Sequence, residues 1–405
     1  MNPKLRTLQA YPFERLRALL DGVRPEPSLA PLNLSIGEPK HPTPRLITDA
    51  YVQALGGLSS YPATAGSPAL REAIAGWLKR RHGLSRLDAL TQVLPINGSR
   101  EALFAFAQTV IDPVPQAVVV CPNPFYQIYE GAALLAGASP WYVDQSPRNG
   151  YRCDWSSVPE AVWQRTQLLY VCSPGNPTGT VMGQAEWAHL FELSDRHGFC
   201  IASDECYSEI YFDESHPPLG ALGAARAAGR DDFRRLVVFG SLSKRSNVPG
   251  MRSGYVAGDA ALLAEFLLYR TYHGSAMSPP VQQASIAAWG DEAHVIDNRR
   301  QYRDKFDALF PILSPVMRVE RPQAGFYFWA GVPDGDDTRF VRELYRQYNV
   351  LSLPGSYLAR DTADGRNPGR GHVRLALVEP LEPCTEAARR IARFIAGSSA
   401  LQPAA

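Results

Sequence analysis

The sequence lacks the marks of several large classes of protein. Its six cysteines include no Cys-x-x-Cys pair, and its eight histidines include no HExxH motif or other metal-binding spacing. It has no apolar run long and charge-free enough to span a bilayer, and its N-terminus has no signal-type apolar stretch. Because 41 basic side chains are balanced by 40 acidic ones, the net charge of +1 argues against a nucleic-acid surface built on bulk charge. We therefore expect a cytoplasmic protein with reduced thiols, no bound metal, and no membrane or nucleic-acid partner.

What the sequence contains is the composition of a sizeable globular enzyme. At 405 residues, with 45% hydrophobic and 20% charged residues, the chain is too long for one compact core and favours two or three domains. Through its middle, strand-like apolar runs alternate with amphipathic stretches, which predicts an α/β fold with a parallel sheet covered on both faces by helices. The predicted strands include QAVVVC, SPWYV, QLLYVCS, FCIASDE, RLVVFGS and SGYVAG.

The two ends of the chain differ from the middle. The first forty residues predict a helix followed by a Pro-rich extended segment, which cannot belong to a central strand. From about Asp291 onward the pattern changes to a helix, a strand pair (MRVERPQAGFYFWAGV), a helix, a strand and a final helix. This change predicts a second, smaller α+β domain.

Three polar motifs follow predicted strands. SPGNPTG spans Ser173–Gly179, SDECY spans Ser203–Tyr207, and SLSKRSNVPGMRSGY spans Ser241–Tyr255. Polar residues at the carboxyl ends of parallel strands converge on the crevice where α/β folds bind ligands. In the third motif a lysine with hydroxyl neighbours precedes an arginine by eight residues. That combination suits an aldehyde cofactor that carries a phosphate.

In this order and at these separations, NPTG, D-x-x-Y and S-x-S-K-x7-R resemble the fold-type I, class I and II pyridoxal-phosphate aminotransferases, over essentially the whole chain. The resemblance implies that Lys244 is the Schiff-base lysine and that its freed amine moves the proton during catalysis. It implies that Asp204 pairs with the pyridine nitrogen and keeps it protonated. Asn176 and Tyr207 would bind the phenolic oxygen, and Asn176 would also reach the substrate.

The cofactor phosphate needs amide donors and positive charge. The predicted helix that begins at Gly98, Ser99 and Arg100 offers amide donors, because a helix N-terminus binds anions. The resemblance adds Ser241, Ser243 and Arg252, and from the neighbouring subunit Tyr61. It thereby implies a homodimer with shared active sites.

The resemblance also assigns a stacking ring and a carboxylate receptor. Tyr126 occupies the position where the family stacks an aromatic ring on the cofactor. Its neighbours Phe125 and Tyr129 are alternatives for that role, although packing is the favoured interpretation for both. A planar arginine suits the α-carboxylate that both substrates share, and Arg374 lies where the family places it. Gly37 resembles the family's backbone contact to the same carboxylate.

The implied architecture is a large domain with a mostly parallel seven-stranded sheet flanked by helices, plus a smaller α+β domain. Residues 1–44 would form an N-terminal segment that contributes to the small domain and covers the active site. Residues 45–290 would form the large cofactor-binding domain, and residues 291–405 the small C-terminal domain.

Within the family, four segments look most like the N-succinyldiaminopimelate aminotransferases of bacterial lysine biosynthesis: IGEPKHPTP, SLSKRSNVPGMRSGYVAGD, YRTYHGSAMSPPVQ, and LSLPGSYLAR with the following NPGRGHVRLALVEP. That resemblance implies a ping-pong exchange between glutamate/2-oxoglutarate and N-succinyl-LL-2,6-diaminopimelate/N-succinyl-2-amino-6-oxopimelate. The succinyl arm carries a further carboxylate, so positive charge is needed away from Arg374. Lys40 and Arg245 are the candidates, with ordinary solvated cations as the alternative.

Three other functions compete with this one. A general aspartate, aromatic or methionine aminotransferase would share every cofactor residue. A cofactor-dependent lyase would differ in not consuming 2-oxoglutarate. A non-catalytic, cofactor-binding regulator would need a DNA-binding domain, for which the resemblance leaves no room.

Overall fold

The computed structural model describes residues 1–362 and 364–399, and twelve strands form within them. They are β1 (Leu32–Asn33), β2 (Val93–Ile96), β3 (Val118–Asn123), β4 (Ser139–Asp144), β5 (Thr166–Cys172), β6 (Cys200–Asp204), β7 (Leu236–Ser241), β8 (Gly254–Gly258), β9 (Tyr327–Gly331), β10 (Val350–Leu351), β11 (Leu353–Pro354) and β12 (His372–Ala376).

The same described residues form fourteen α-helices. They are α1 (Pro12–Leu19), α2 (Arg45–Gln53), α3 (Pro68–His82), α4 (Ser99–Val110), α5 (Ile128–Ala136), α6 (Glu160–Trp163), α7 (Gln184–His197), α8 (Ala221–Ala227), α9 (Leu242–Arg245), α10 (Ala260–His273), α11 (Pro279–Gly290), α12 (Ala293–Leu313), α13 (Asp337–Tyr348) and α14 (Leu381–Ser399). In this part of the chain, no helix is long and apolar enough to cross a membrane.

The large sheet has seven strands in the order β2-β8-β7-β6-β5-β3-β4. All neighbours are parallel except β8, which runs antiparallel to β2 and to β7. Every residue of β3, β7 and β8 is buried, because two hydrophobic clusters pack on the sheet. Burial on both faces explains why these strands read as continuous apolar runs. The predicted α/β fold with a mostly parallel seven-stranded sheet is confirmed.

The C-terminal part contains the smaller sheets. Strands β11, β12 and β9 form an antiparallel sheet, and the Pro-rich N-terminal segment contributes only β1, which pairs with β10. The predicted strand pair in MRVERPQAGFYFWAGV is wrong: the segment forms β9 and two isolated bridges, one between Arg318 and Gly331 and one between Ala324 and Tyr211. Pro322 interrupts the first half, and Gly325, at a φ of 88°, follows directly after that half. The domain boundaries stay a prediction.

Candidate active site

A cavity of about 640 Å³ opens at the carboxyl ends of β6 and β7, beside β12 and the N-terminal segment. Tyr11, Pro12 and Phe13, at the start of α1, form part of its wall. Most of the residues predicted from the motifs also line it: Gly37, Ser99, Arg100, Tyr126, Asn176, Asp204, Tyr207, Ser243, Lys244, Arg252 and Arg374.

Asp204 ends β6 and lies almost completely buried at the floor of the cavity. Its Oδ2 accepts a hydrogen bond of 2.8 Å from the hydroxyl of Tyr129, and its Oδ1 accepts one of 3.2 Å from the backbone N–H of Cys206. Burial raises the pKa of Asp204, and these hydrogen bonds oppose that rise. A carboxylate that is buried and ionised is stabilised by a cationic partner, such as a protonated ring nitrogen.

Lys244 lies on α9, the single turn that follows β7. The hydroxyl of Ser241 caps this turn by accepting from the backbone N–H of Ser243 at 3.1 Å. Burial lowers the pKa of Lys244, although the negative charge of Asp204 opposes the shift. A lowered pKa increases the fraction of free amine, the form that attacks an aldehyde and accepts a proton.

A set of groups suited to bind an anion, here called the anion cradle, lies where α4 begins. It consists of the backbone N–H groups at the start of α4 and the guanidinium of Arg252. Gly98 precedes the helix at a φ of 85°, and the first turn of α4 has no side-chain cap. A Cβ at Gly98 would overlap the guanidinium of Arg252, so the arginine lies directly against the helix start. Free backbone N–H groups and an arginine together suit a phosphate. Ser243 lines the cavity, whereas Ser241 does not and instead donates to the Ser243 hydroxyl at 3.0 Å.

Arg374 lies on β12 with its guanidinium partly bound. One Nη donates to the backbone oxygen of Ser35 at 2.8 Å and the other to Oδ1 of Asn176 at 3.1 Å, while Nε has no partner among the described residues. The guanidinium lies 4.4 Å from the ring centre of Tyr327. A Cβ at Gly37 would overlap the Tyr327 hydroxyl, so this glycine allows the N-terminal segment to approach.

Comparison with known proteins agrees with this geometry. The family model described as aminotransferase class I and II matches residues 30–405. The chain belongs to this family. An aminotransferase from Neisseria meningitidis Z2491 is 54% identical, with a TM-score of 0.94 over 98% of this chain and 100% of that one. An LL-diaminopimelate aminotransferase from Desulforudis audaxviator is 32% identical over 96% of each chain. A probable N-succinyldiaminopimelate aminotransferase from Thermus thermophilus is 27% identical, with a TM-score of 0.83 over 94% of this chain and 99% of that one.

Class I and II aminotransferases depend on pyridoxal phosphate, and so does this chain. The residues present fit that group. Asp204 is a buried carboxylate that favours a cationic ring nitrogen, Lys244 is a buried amine with a lowered pKa, and Arg252 lies against a free helix N-terminus. The unpartnered Nε of Arg374 leaves a donor for an incoming carboxylate.

Two aromatic residues of this aminotransferase do more than the motifs indicate. The sequence predicts only packing for Tyr129, but this residue binds Asp204 as well as stacking on Tyr170 at 4.6 Å between ring centres. The motifs do not include Tyr327, yet its hydroxyl lies 2.9 Å from that of Tyr207. Neither residue belongs to a polar motif, so no sequence signal marks them. Phe125 packs against other buried groups as expected.

Five predicted site residues lie outside the cavity lining: Gly98 and Ser241, whose positions are given above, and Lys40, Tyr61 and Arg245. Lys40 is exposed and pairs with Glu38 at 3.4 Å, and Tyr61 is fully exposed. Arg245 is the clear correction, because it is buried against Trp289 and forms an ion pair with Glu292. Its neighbour Lys244 lines the cavity, so the two adjacent side chains leave α9 in different directions. A guanidinium already paired and packed on an aromatic ring is not free for a substrate.

Proposed function

We propose that this aminotransferase exchanges an amino group between glutamate/2-oxoglutarate and N-succinyl-LL-2,6-diaminopimelate/N-succinyl-2-amino-6-oxopimelate, in lysine biosynthesis. The observation that carries the proposal is a cavity of about 640 Å³ with a second cation besides the carboxylate receptor. The similarity to a Thermus thermophilus protein described as a probable N-succinyldiaminopimelate aminotransferase supports it.

Arg100 is that second cation. Among the cavity-lining cations, Lys244 is the reactive amine, Arg252 faces the phosphate cradle, and Arg374 receives the α-carboxylate. The Arg100 guanidinium donates from Nε to the hydroxyl of Tyr126 at 2.6 Å and forms no ion pair with a carboxylate of the described residues. Its backbone N–H remains at the start of α4 for the phosphate, so the two parts of the residue can serve different groups. Arg100 thus takes the role predicted for Lys40 and Arg245.

Different side chains perform different steps of the proposed reaction. The bound cofactor supplies an electron sink for the negative charge that develops at the substrate Cα. Arg374 would hold the α-carboxylate, and the Nζ of Lys244 would take the proton from the donor Cα and deliver it to the cofactor carbon, with the reverse movement when the acceptor reacts. Asp204 would keep the proton on the ring nitrogen, and Asn176 and Tyr207 would donate hydrogen bonds to the phenolic oxygen. The donor would leave as a 2-oxo acid, with its amino group retained on the cofactor, before the acceptor binds, as a ping-pong exchange requires.

Substrate profiling tests the proposal. Purified protein should turn over N-succinyl-LL-diaminopimelate with a higher kcat/KM than aspartate, phenylalanine or methionine. Arg100→Ala should lower kcat/KM for the succinylated substrate by roughly ten- to a hundredfold, because a hydrogen bond to a charged group contributes about 1.5–3 kcal/mol. Glutamate is shorter and should lose less. Lys40→Ala is the matched control and should change neither value. Better turnover of the ordinary amino acids would replace the proposal with a general aminotransferase.

A second candidate is the exchange with LL-diaminopimelate itself. Several curated relatives at 30–32% identity carry that name, and the carboxylate of Glu38 lines the cavity. A free distal ammonium would pair with Glu38, whereas a succinylated one would not. Faster turnover of LL-diaminopimelate than of its N-succinyl derivative, together with a selective loss in Glu38→Gln, would favour this candidate.

A further inference from the structure

A buried polar network lies outside the cavity lining and next to α9. Its members are almost completely buried: His41, Asn247, Asn298 and Lys305. They come from the N-terminal segment, from the loop after α9 and from α12. Nothing in the roles proposed above uses them.

Asn298 holds the backbone of the lysine turn. Its Nδ2 donates to the backbone oxygen of Lys244 at 3.0 Å and more weakly to that of Arg245 at 3.4 Å. Its Oδ1 accepts from Nδ2 of Asn247 and from Nδ1 of His41, both at 2.9 Å. The last carbonyls of a helix have no partner within it, and α9 has only four residues. A side chain from α12 therefore fixes the conformation of the turn that carries Lys244.

The network continues to the strand that carries Arg374. Because Nδ1 of His41 donates to Asn298, its Nε2 is the acceptor, and it accepts from Nζ of Lys305 at 2.6 Å. Lys305 also donates to the backbone oxygen of Leu377 at 3.0 Å, just past the end of β12. Burial and the charge of Lys305 lower the pKa of His41 to about 4, so the ring is neutral and can accept. A continuous chain of hydrogen bonds thus joins the backbone of Lys244 to that of Leu377, three residues after Arg374.

We propose that His41, Asn298 and Lys305 form a positioning network that aligns the Lys244 amine with the carboxylate held by Arg374. The inference rests on the roles proposed above for those two residues. Lys244 and Arg374 lie far apart in the sequence, yet proton transfer requires them to be aligned to a fraction of an ångström. Rigid, buried hydrogen bonds to the backbones on both sides meet that requirement.

Asn298→Ala tests the proposal at the lysine. The variant loses the bond to the Lys244 backbone, whereas the contacts of Arg374 with Ser35 and Asn176 stay in place. We expect kcat to fall by roughly ten- to a hundredfold, because a misplaced catalytic group costs up to about 10²-fold. KM for the donor should change less than about threefold. The isotope effect on kcat with a Cα-deuterated donor should rise, because proton transfer becomes slower relative to other steps. The apo-protein should also form its borohydride-reducible link to added pyridoxal phosphate several-fold more slowly.

Lys305→Met tests the other end. It removes the donor to His41 and to the Leu377 backbone while keeping an unbranched side chain, and it should shift kcat and the isotope effect in the same direction. If the network acts as one unit, the double variant should lose no more activity than the worse single variant. His41→Phe keeps a ring against Tyr302 and serves the same test if Asn298→Ala does not fold.

The matched control is Asn123→Ala. Asn123 is an equally buried amide, bonded to Asp144 at 2.8 Å and to the backbone of Arg360 at 3.0 Å, with no contact to the network. The Asn123→Ala variant should have a lower melting temperature. Its isotope effect, and the rate at which its apo-protein forms the link to pyridoxal phosphate, should be unchanged. The network is wrong if the folded variants keep the wild-type isotope effect, or if the effects of Asn298→Ala and Lys305→Met are fully additive. Borohydride labelling of the wild-type protein separates the two proposals: a label on a lysine other than Lys244 overturns the proposed role of Lys244 itself.

Discussion

Tyr129 contacts the motif residue Asp204, although Tyr129 itself belongs to none of the three polar motifs. Its hydroxyl donates to Asp204, and its ring stacks on Tyr170 in the core. Burial raises the pKa of Asp204, whereas a donated hydrogen bond lowers it. Tyr129 therefore helps to keep the carboxylate ionised, which is the form that holds a proton on the cofactor ring.

We expect Tyr129→Phe to weaken cofactor binding. Without the donated hydrogen bond the pKa of Asp204 rises further, so the carboxylate takes up its proton at a higher pH. The acid limb of pyridoxal-phosphate affinity should therefore move upward in pH, with a loss of roughly tenfold near neutrality. Titration of the apo-protein across the acidic range measures both changes.

Tyr170→Phe is the control for this experiment. It removes an equally buried hydroxyl, which donates to the backbone of Leu103 at 2.6 Å rather than to Asp204. Identical pH profiles for the two variants would contradict the role given to Tyr129.

Among single residues, the sequence could predict the site residues that lie in polar motifs. It could not predict residues whose role depends on a contact between distant parts of the chain. Asp204, Lys244 and Arg374 follow strand ends or lie in recognisable segments, and all three line the cavity. The contact of Tyr129 with Asp204 depends on how α5 packs over the sheet, against β3 and β4, which no local pattern encodes. The predicted role of Arg245 in substrate binding is wrong for a similar reason, because a single helical turn sends adjacent side chains to different sides.

Helix α4 presents its free N–H groups to the cavity because of the residue that precedes it. Gly98 has a φ of 85° and a ψ of 150°, a conformation that is accessible mainly to glycine. The absence of a side chain there also leaves room for the Arg252 guanidinium.

Gly98→Ala should therefore reduce the affinity for pyridoxal phosphate by more than roughly tenfold, because the added methyl group displaces Arg252 as well as straining the backbone. The strain alone costs of the order of 1–3 kcal/mol of stability. Gly229→Ala is the matched control, since Gly229 also has a positive φ but has no atom near its added Cβ. It should lose stability and keep its affinity. Equal affinities in a cofactor titration of the two variants would contradict the cradle.

The strands with a strong hydrophobic pattern could be predicted from the sequence. The direction in which each strand runs in the sheet could be predicted less well. Apolar runs identified β3 to β8, and for β3, β7 and β8 burial on both faces leaves no alternation to misread. The antiparallel direction of β8 was not predictable, since an apolar run has no polarity. The short strands β1, β10 and β11 carry only two residues each, too few for any pattern.

On the surface of the whole molecule, an apolar patch extends along α2 and the turn that follows it. Its exposed members are Tyr51, Val52, Leu55 and Leu58, and Tyr61 follows directly. Contiguous apolar surface of this kind commonly marks a protein interface. It supports the proposal of a homodimer in which Tyr61 reaches the phosphate site of the partner.

Mixing two impaired variants tests the dimer. Heterodimers of Lys244→Ala and Tyr61→Phe subunits contain one site with both native residues, so activity should partly recover after subunit exchange. As a control, Tyr61→Phe mixed with the double variant Lys244→Ala/Tyr61→Phe should not recover, because no chain then offers Tyr61. Proven exchange without any gain over the single variants would refute the shared site.

Strand β2 lies at the edge of the large sheet although it precedes the other six strands in the sequence. Within the described residues its only strand partner is β8, with Val93 opposite Ala257. During synthesis on the ribosome, β2 and the start of α4, which follows it, therefore cannot take up their final positions until the residues up to Gly258 have been made. Arg374 is synthesised later still. The nascent chain cannot complete its active site until most of it has been translated. A premature stop codon anywhere before Arg374 should therefore give a product without residual activity.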